Sequence, residues 1–227
     1  NSYRKRIIER GSMSNSILIL PEISDDRIKD ATKQLEHMGF NIANKNDFIN
    51  KRDEFNHILS NKKFTDNWHD DQISQFLDNP VNFAMTAVLA GYADGLVAGA
   101  INRTSEIIRS AIRIIGIRED AKWVSSIFFM LDRKVNHAMT FSDCAVIPEP
   151  NEKQLANIGG NSAGFHYLLT GEEPRVAFLS FSTKGSANHY RVDRVKESVK
   201  IFSREYPHIL HDGELQIDAA IVPAVCK

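Results

Sequence analysis

Short apolar runs alternate with amphipathic segments along most of the chain. The apolar runs have the length and composition of buried strands, and they lie at 17–20, 96–100, 123–131, 138–147 and 176–181. Apolar residues at helical spacing predict helices at 24–38, 80–90, 104–115 and 151–169, and a last one that ends before Pro207. Strands that alternate with helices in this way predict an α/β fold with a mostly parallel sheet.

The helix predicted at 151–169 has clear boundary signals. Asn151 is a good N-cap, and Gln154 follows three residues later, which is the spacing of a capping box. Gly171 is placed to end the helix. Gly159 and Gly160 lie inside it, at a cost of about 1 kcal/mol each in helix propensity. We therefore expect the backbone at these two glycines to pack tightly against a neighbouring element.

Three segments fit the alternating pattern less well. Residues 1–16 are polar and basic and predict a solvated, flexible tail. Residues 41–71 are rich in Asn, Asp and Lys with scattered aromatic residues, which predicts exposed helix and loop. The polar stretch 132–137 is interpreted as a crossing between two domains, so the predicted domains are 1–134 and 135–227.

Composition limits the classes of function. A chain of 227 residues with 42% apolar residues is long enough for a substantial core. Its 28 basic and 29 acidic residues balance, so overall attraction to nucleic acid is not expected and an anion site must be local. No apolar run reaches the length of a membrane span, and no secretory leader is visible. Cys144 and Cys226 form no disulfide framework, which favours a reduced, cytoplasmic compartment.

A run of small hydroxyl residues with a cation and a glycine follows the strand predicted at 176–181. Its residues are Ser182, Thr183, Lys184, Gly185 and Ser186. A loop between the carboxyl end of a strand and a helix is where open α/β sheets bind ligands, and free N–H groups at a helix start attract anions. The spacing of a P-loop is absent, and an ordinary polar loop accounts for these residues equally well.

A second candidate anion site begins at Thr104, where a helix is predicted to start just after a strand. Arg109 lies just past the first turn of that helix, and arginine is well suited to clamp a phosphate. From spacing alone, a surface ion pair is the simpler interpretation of Arg109.

Gln216 and Asp218 flank Ile217, so their side chains would share one face of an extended segment and could line a cleft. In the alternative, Asp218 caps a short helix that begins at Ala219.

Other motifs favour structural explanations. Cys144 has no cationic or histidine neighbour in sequence to lower its thiol pKa, so a buried structural thiol is expected. His208 and His211 have a spacing that is common by chance and no identifiable third metal ligand, so a connecting turn is expected. Gly95 and Gly99 lack the rest of a dinucleotide-binding fingerprint.

Several long motifs resemble the phosphate acetyltransferase and phosphate butyryltransferase family in its order and spacing. They are NPVNFAMTAVLAGYADGLVAGA (79–100), TSEIIRSAIRIIG (104–116), VSSIFFM (124–130), FSDCAVIPEPNEKQLANI (141–158), PRVAFLSFSTKGSANHYRVDRVKES (174–198) and DGELQIDAAIVPAV (212–225). The stretch ILILPEISDDRIKDAT (17–32) resembles the family more faintly. The segment 41–71 departs from the family pattern, since a basic cluster expected there is represented only by Lys62 and Lys63.

The resemblance implies a three-layer αβα fold of two lobes with a cleft between them, of the isocitrate and isopropylmalate dehydrogenase type. It implies an acyltransferase, closest to phosphate acetyltransferase, that exchanges an acetyl group between coenzyme A and phosphate by direct thiolate attack. A cytoplasmic homodimer with coenzyme A, acetyl phosphate and phosphate as substrates is expected, with no metal, permanent cofactor, nucleic acid or membrane. The resemblance favours a ligand-binding role for Thr104, Arg109, the run 182–186, Gln216 and Asp218.

The catalytic base stays unassigned. The resemblance implies that an acidic residue and a Ser-Arg pair, which act on the thiol in relatives, would lie beyond Lys227. We expect the chain to be part of a longer polypeptide, and residues 1–227 alone to show no acyl transfer. Three alternatives are kept: a phosphate butyryltransferase, a non-catalytic acyl-CoA-sensing module like the tail domain of some malic enzymes, and a dehydrogenase of the isocitrate type, whose metal-binding carboxylates are not recognisable here.

Overall fold

The computed structural model describes residues 2–118, 121, 123–132, 136–144 and 146–225. The chain divides into two compact units, one of Ile7–Asp120 and the other of Asn1–Arg6 with Ala121–Lys227. The predicted domain boundary at 134/135, like Cys226 and Lys227, lies outside the described residues, and the predicted division stays a prediction.

The unit Ile7–Asp120 contains a parallel three-stranded sheet with strand order β2-β1-β3. The strands are β1 (Ile17–Ile19), β2 (Asn41–Ala43) and β3 (Gly95–Leu96). Ile19 of the central strand pairs with Ala43 on one side and Leu96 on the other, and its side chain is fully buried. The sheet confirms the α/β prediction for this part of the chain.

The described helices of this unit are α2 (Asp26–His37), α3 (Arg52–Ser60), α4 (Asp70–Phe76), α5 (Pro80–Leu89) and α6 (Thr104–Ile114), with 3-10 turns at Lys45–Lys51 and Lys63–Thr65. The most buried of them is α5, which presents Phe83, Ala84 and Met85 to the core. Asn79 caps it, accepting hydrogen bonds from the N–H groups of Val81 and Asn82.

The prediction of exposed helix and loop at 41–71 is wrong for its middle part. Phe55 and Leu59 of α3 are both fully buried, and Phe55 packs edge-on against Phe83 with ring centroids 5.0 Å apart. The two residues are four apart and share one face of the helix. The preceding 3-10 turn breaks the helical period, which is why the pattern looked weak in the sequence.

The segment predicted as a flexible tail forms the helix α1, Ser2–Met13, so that prediction is corrected. None of the residues of α1 is buried, in agreement with a solvated segment. Hydrogen bonds fix its first part: the Arg6 guanidinium donates to the carbonyl of Leu169 at 2.8 Å, and the Tyr3 hydroxyl donates to Glu172. These long-range partners order a segment that local sequence alone would leave mobile.

The unit with Ala121–Lys227 contains two small sheets. β4 (Ile127–Asp132) and β5 (His137–Ser142) pair antiparallel, with Asp132 opposite His137. The strands on either side of this stretch therefore belong to one unit. Residues 133–135 lie outside the described residues, and the interpretation of 132–137 as a crossing between domains stays a prediction, like the division at 134/135. β6 (Arg175–Leu179) and β7 (Leu210–Leu215) pair in parallel.

The helices of this unit are α7 (Glu152–Thr170), α8 (Tyr190–Glu205) and the short α9 (Ile217–Ile221). The predicted ends of α7 are confirmed: Asn151 and Gln154 form a reciprocal capping box, and Gly171 ends the helix at φ +70°.

The core of this unit confirms the tight packing predicted at the two glycines of α7. A Cβ added to Gly159 would meet the ring of Phe178 at 3.0 Å, and one added to Gly160 would meet the ring of Tyr206 at 2.3 Å. The Phe178 ring also packs edge-on against Phe202, with centroids 5.2 Å apart. The glycines thus let α7 approach β6 and the end of α8 closely.

Within the described part of the chain, no helix is both long and apolar enough to cross a membrane.

Candidate functional site

The run Ser182–Ser186 forms the loop between β6 and α8, as the sequence predicted. Lys184 and Gly185 both adopt left-handed backbone conformations, at φ +48° and +86°, which makes the loop turn sharply. Ser182 is fully buried, whereas Thr183 and Lys184 are more open to solvent. The loop therefore has a buried root and an accessible tip.

The backbone N–H groups of this loop are all engaged within the protein. Ser182 N–H donates to Ser180 Oγ at 3.2 Å, Thr183 N–H to Ser186 Oγ at 3.0 Å, Lys184 N–H to Glu214 O at 3.2 Å, Gly185 N–H to Glu214 Oε1 at 2.6 Å, Ser186 N–H to Thr183 O at 3.1 Å and Ala187 N–H to Ser182 Oγ at 3.1 Å. The expectation of a cradle of free N–H groups is corrected, because each of these donors has an acceptor. Hydroxyl groups and the Lys184 ammonium remain to contact a ligand.

Glu214 of β7 is the residue that sequence reasoning missed. This residue is 2% exposed, and Oε1 accepts hydrogen bonds from Gly185 N–H and, at 3.1 Å, from the Ser182 hydroxyl. The Lys196 ammonium lies 3.9 Å away. Burial by itself raises the pKa of the Glu214 carboxyl, but the hydrogen bonds from Gly185 and Ser182 and the charge of Lys196 outweigh it and lower the pKa. An ionised carboxylate thus anchors the loop from beneath.

Two further groups hold the tip of the loop. The Lys184 ammonium pairs with Asp212, and this hydrogen bond is the main cause that lowers the pKa of the Asp212 carboxyl. Thr183 Oγ1 accepts a hydrogen bond of 2.9 Å from the backbone N–H of Gln216. The structure therefore brings Gln216 to the loop, as expected for a residue of the same site.

Asp218 occupies a different setting from the one predicted. β7 ends at Leu215, and Asp218 lies in the first turn of α9, so the interpretation of an extended segment through 218 is wrong. The Asp218 carboxylate accepts a 2.9 Å hydrogen bond from the N–H of Ala219. Gln216 holds the N-cap position of α9, so Asp218 is not the N-cap either.

At the second candidate site, near the start of α6, backbone N–H donors are again occupied by a glutamate carboxylate of the protein. Thr104 is the first residue of α6 and is exposed. The N–H groups of the four residues 99–102, just before this helix, all donate to the carboxylate of Glu22, at 2.7, 2.7, 3.0 and 2.9 Å. The N–H donors next to the helix start are therefore occupied by an internal anion. β3 itself ends at Leu96, short of the predicted strand 96–100.

Glu22 is buried, with 4% of its surface exposed. Burial raises the pKa of its carboxyl, but the N–H donors of Asn102, Ala100 and Ile101 and the Asn102 amide more than offset this and lower the pKa to about 2. Glu22 is ionised throughout the physiological pH range.

A polar cleft of about 300 Å³ lies along α6. Its lining consists of Asn79, Val81, Asn82, Asn102, Glu106, Ile107, Arg109, Ser110 and Arg113. Arg109 and Arg113 are four residues apart and share one helix face, and neither has an ion-pair partner among the described residues. The alternative that Arg109 belongs to a surface ion pair is therefore not supported. The two guanidinium groups outnumber the single carboxylate of the cleft lining, that of Glu106, and arginine is well suited to bind phosphate groups.

The remaining sequence candidates have local roles. Cys144 is partly buried, and its thiol donates to the carbonyl of Phe141 at 3.3 Å. His211 lies in β7, with Nδ1 2.7 Å from the carbonyl oxygen of Ile209. Among the described residues, no group of three His, Cys, Asp or Glu side chains is arranged to hold a metal ion.

The described structure thus combines an α/β fold with a hydroxyl- and lysine-bearing loop at the end of a strand, which is the position where open α/β sheets bind ligands, and with an arginine-bearing cleft. The chain belongs to the phosphate acetyl/butaryl transferase family, which it matches over residues 4–227. The family resemblance seen in the sequence motifs is confirmed.

Individual relatives agree. The chain is 43% identical over 161 residues to the phosphate acetyltransferase of Thermoanaerobacterium thermosaccharolyticum, covering 69% of this chain and 49% of the relative. It is 32% identical over 241 residues to that of Paracoccus denitrificans, covering 97% and 74%. A crystal structure of a phosphotransacetylase from Streptococcus pyogenes superposes with a TM-score of 0.84 at 28% identity, covering 99% of this chain and 75% of that one. The chain thus spans about half the length of the first relative and about three quarters of the other two.

Proposed function

We propose that this chain belongs to a phosphate acetyltransferase, which exchanges an acetyl group between coenzyme A and inorganic phosphate. The family match over residues 4–227 is the observation that carries the proposal. Both relatives described above are named phosphate acetyltransferases, which favours acetyl over butyryl transfer.

The chemistry requires an anion site and a base. A free thiol has a pKa of about 8–9, so a base must take its proton as the sulfur attacks the acyl carbonyl of acetyl phosphate. The departing phosphate gains negative charge, which positioned cations and hydroxyl donors stabilise. We assign the phosphate to the tip of the Ser182–Ser186 loop, where the Ser186 hydroxyl and the Asp212-paired Lys184 ammonium are donors. The Thr183 hydroxyl, which donates a long 3.4 Å hydrogen bond to Gln216 Oε1, would exchange this acceptor for the phosphate. The base is unassigned.

The cleft along α6 suits an anionic part of coenzyme A. Arg109 and Arg113 supply two positive charges, and Ser110 and the asparagines of the cleft supply neutral polar groups. Because arginine binds phosphate in a two-pronged geometry, two arginines one helical turn apart fit the phosphate groups of the coenzyme. Thr104, at the exposed start of the same helix, is included in this proposed site.

The test is a thiol-release assay with coenzyme A, acetyl phosphate and butyryl phosphate on the complete polypeptide. We expect acetyl transfer to exceed butyryl transfer, and Arg109→Ala to raise the KM for coenzyme A about ten-fold or more. Lys33→Ala, which removes an exposed cation from α2, is the charge-matched control and should leave the KM unchanged. Absence of acyl transfer by the complete wild-type polypeptide would overturn the proposal.

Other features implied by the family resemblance stay predictions. They are the two-lobed, three-layer arrangement of the isocitrate and isopropylmalate dehydrogenase type, a homodimer, a cytoplasmic location and the lack of a permanently bound cofactor.

A further inference from the structure

We propose that Glu22 is a positioning residue for the polar cleft along α6: its carboxylate is a built-in anion that holds residues 99–102 and so sets Asn102 and the start of the arginine-bearing helix. The inference rests on the proposed function, since it concerns how the coenzyme cleft is shaped. Glu22 itself does not line the cleft.

Successive backbone N–H groups around Glu22 form a concave anion-binding site, and the carboxylate of Glu22 occupies it. Oε2 accepts from Gly99 and Ala100, and Oε1 accepts from Ile101 and Asn102. Four consecutive N–H groups converge on one group only when the backbone turns, and Gly99 permits this turn at φ +116°. In a loop without Glu22, these four donors would point at an empty space or at a bound anion.

The same loop is held from its other side. The Arg27 guanidinium donates to the carbonyl of Ala100 at 2.9 Å while it forms an ion pair with Asp25 at 2.7 Å. The N–H of Ala100 therefore bonds to Glu22, in the connection between β1 and α2, and its C=O bonds to Arg27, in the first turn of α2. A loop held at both backbone polar groups of one residue has little freedom to move its neighbours.

Asn102 links this anchor to the cleft. Its side-chain amide donates to Glu22 Oε1 at 2.7 Å, and Asn102 is itself part of the cleft lining. Arg103 follows as the N-cap of α6, and Arg109 lies on the second turn of that helix. A change in the Glu22 carboxylate would thus move Asn102 directly, through their hydrogen bonds. Because Arg103 and α6 follow Asn102 in the chain, it would also move the start of the helix that carries Arg109.

Two variants separate charge from shape. Glu22→Gln keeps the size of the side chain but leaves a single acceptor oxygen and places an NH₂ group among N–H donors, so at least two of the five hydrogen bonds cannot form. Glu22→Ala removes the acceptor and leaves a hole lined by four N–H groups, which formate can fill. Glu36→Gln, an exposed glutamate of α2, is the matched control.

The first measurement is coenzyme A affinity by calorimetry on the complete polypeptide, with and without sodium formate. Methanesulfonate, which is too large for the hole, provides the matched ionic strength. We expect both Glu22 variants to bind coenzyme A about ten-fold or more weakly than wild type, and Glu36→Gln to bind normally. Formate should restore most of the affinity of Glu22→Ala and none of that of Glu22→Gln. A purely structural role would lower thermal stability without formate-dependent recovery of affinity.

The second measurement is hydrogen exchange at residues 99–102, which does not depend on activity. Exchange should rise in Glu22→Ala and fall again with formate. The inference would be overturned if the amides of residues 99–102 exchanged as slowly in both Glu22 variants as in wild type. It would also be overturned if exchange rose while the affinity for coenzyme A stayed unchanged. If the wild-type protein neither binds coenzyme A nor transfers acetyl groups, the proposed function fails, and the positioning role fails with it. If wild type binds coenzyme A normally and the two Glu22 variants bind it equally well, the positioning role is refuted and the proposed function is not affected.

Discussion

The carboxylate of Glu214 accepts a 2.6 Å hydrogen bond from the backbone N–H of Gly185, in the middle of the loop where the sequence predicted an anion site. Glu22 does the same for Gly99 at 2.7 Å. In each unit, then, a buried glutamate occupies the backbone donors next to the candidate ligand groups. These internal anions shape the loops and leave side chains to contact the ligand.

Replacing Glu214 tests this role in the Ser182–Ser186 loop. Glu214→Ala leaves Gly185 N–H and the Ser182 hydroxyl without a buried acceptor, at a cost of about 2–4 kcal/mol in the free energy of unfolding. We expect the KM for acetyl phosphate to rise as well, because the hydroxyls at the tip lose their support. Glu214→Gln should be milder, since its amide oxygen still accepts both bonds. Urea unfolding and the thiol-release assay measure the two effects, with exposed Glu173→Ala as control. Equal behaviour of the Glu214 and Glu173 variants would contradict this role.

The ion pair of Lys184 and Asp212 predicts a variant with stronger ligand binding, in contrast to the weaker binding expected of Glu214→Ala. Both side chains are about half exposed, so the pair adds under about 1 kcal/mol to stability. Asp212→Asn leaves the Lys184 charge unneutralised, and we expect the KM for phosphate to fall about two- to five-fold at low salt. Lys184→Met should raise it. The effect of Asp212→Asn should shrink as ionic strength increases, and a KM that does not respond to either variant would exclude Lys184 from the phosphate site.

The packing of Gly160 gives a stability prediction with an internal control. A Cβ at this position would lie 2.3–2.6 Å from atoms of Tyr206, so Gly160→Ala should destabilise the protein by about 1–3 kcal/mol. Gly164 lies one turn later on α7 with nothing within 4 Å of an added Cβ, and Gly164→Ala should instead stabilise by up to about 1 kcal/mol. Chemical denaturation decides between them. In a Tyr206→Ala background, Gly160→Ala should lower the free energy of unfolding by less than it does in wild type. An equal loss in both backgrounds would show that contact with Tyr206 is not the cause.

Glu22 should make stability depend on acid pH. Its pKa is about 2 in the folded protein and about 4.3 in an unfolded chain. Because the folded-state pKa is the lower one, the associated stabilisation, on the order of 3 kcal/mol, is fully present above about pH 4.3 and is lost as the pH falls towards 2. The stability advantage of wild type over Glu22→Gln should therefore shrink with acidification. Unfolding free energies at neutral pH and between pH 4.5 and 3 measure it, and a constant difference would contradict the assignment.

Features that depend on close neighbours in sequence were predictable. Asn151 and Gln154 are three residues apart, and the capping box they form needs no information from elsewhere. The loop of hydroxyl residues at 182–186 was recognisable because it follows an apolar strand. The sequence likewise indicated close packing at Gly160, since a glycine inside a helix needs a compensating reason.

Features that depend on distant partners were not predictable in the same way. Glu22 is 77 to 80 residues from the N–H groups that it accepts, and Glu214 is 32 residues from Ser182. A single sequence shows only a charged residue at each of these two positions. For the same reason, Ser2–Met13 was interpreted as a tail, because the bond from Arg6 to Leu169 spans 163 residues.

The left-handed turn at Lys184 and Gly185 lies directly over the carboxylate of Glu214, which satisfies the backbone of that turn. A turn stabilised in this way keeps its conformation without a bound ligand. If the loop binds phosphate as proposed, the site would keep its arrangement when the product leaves, and no reordering step would precede the next binding event.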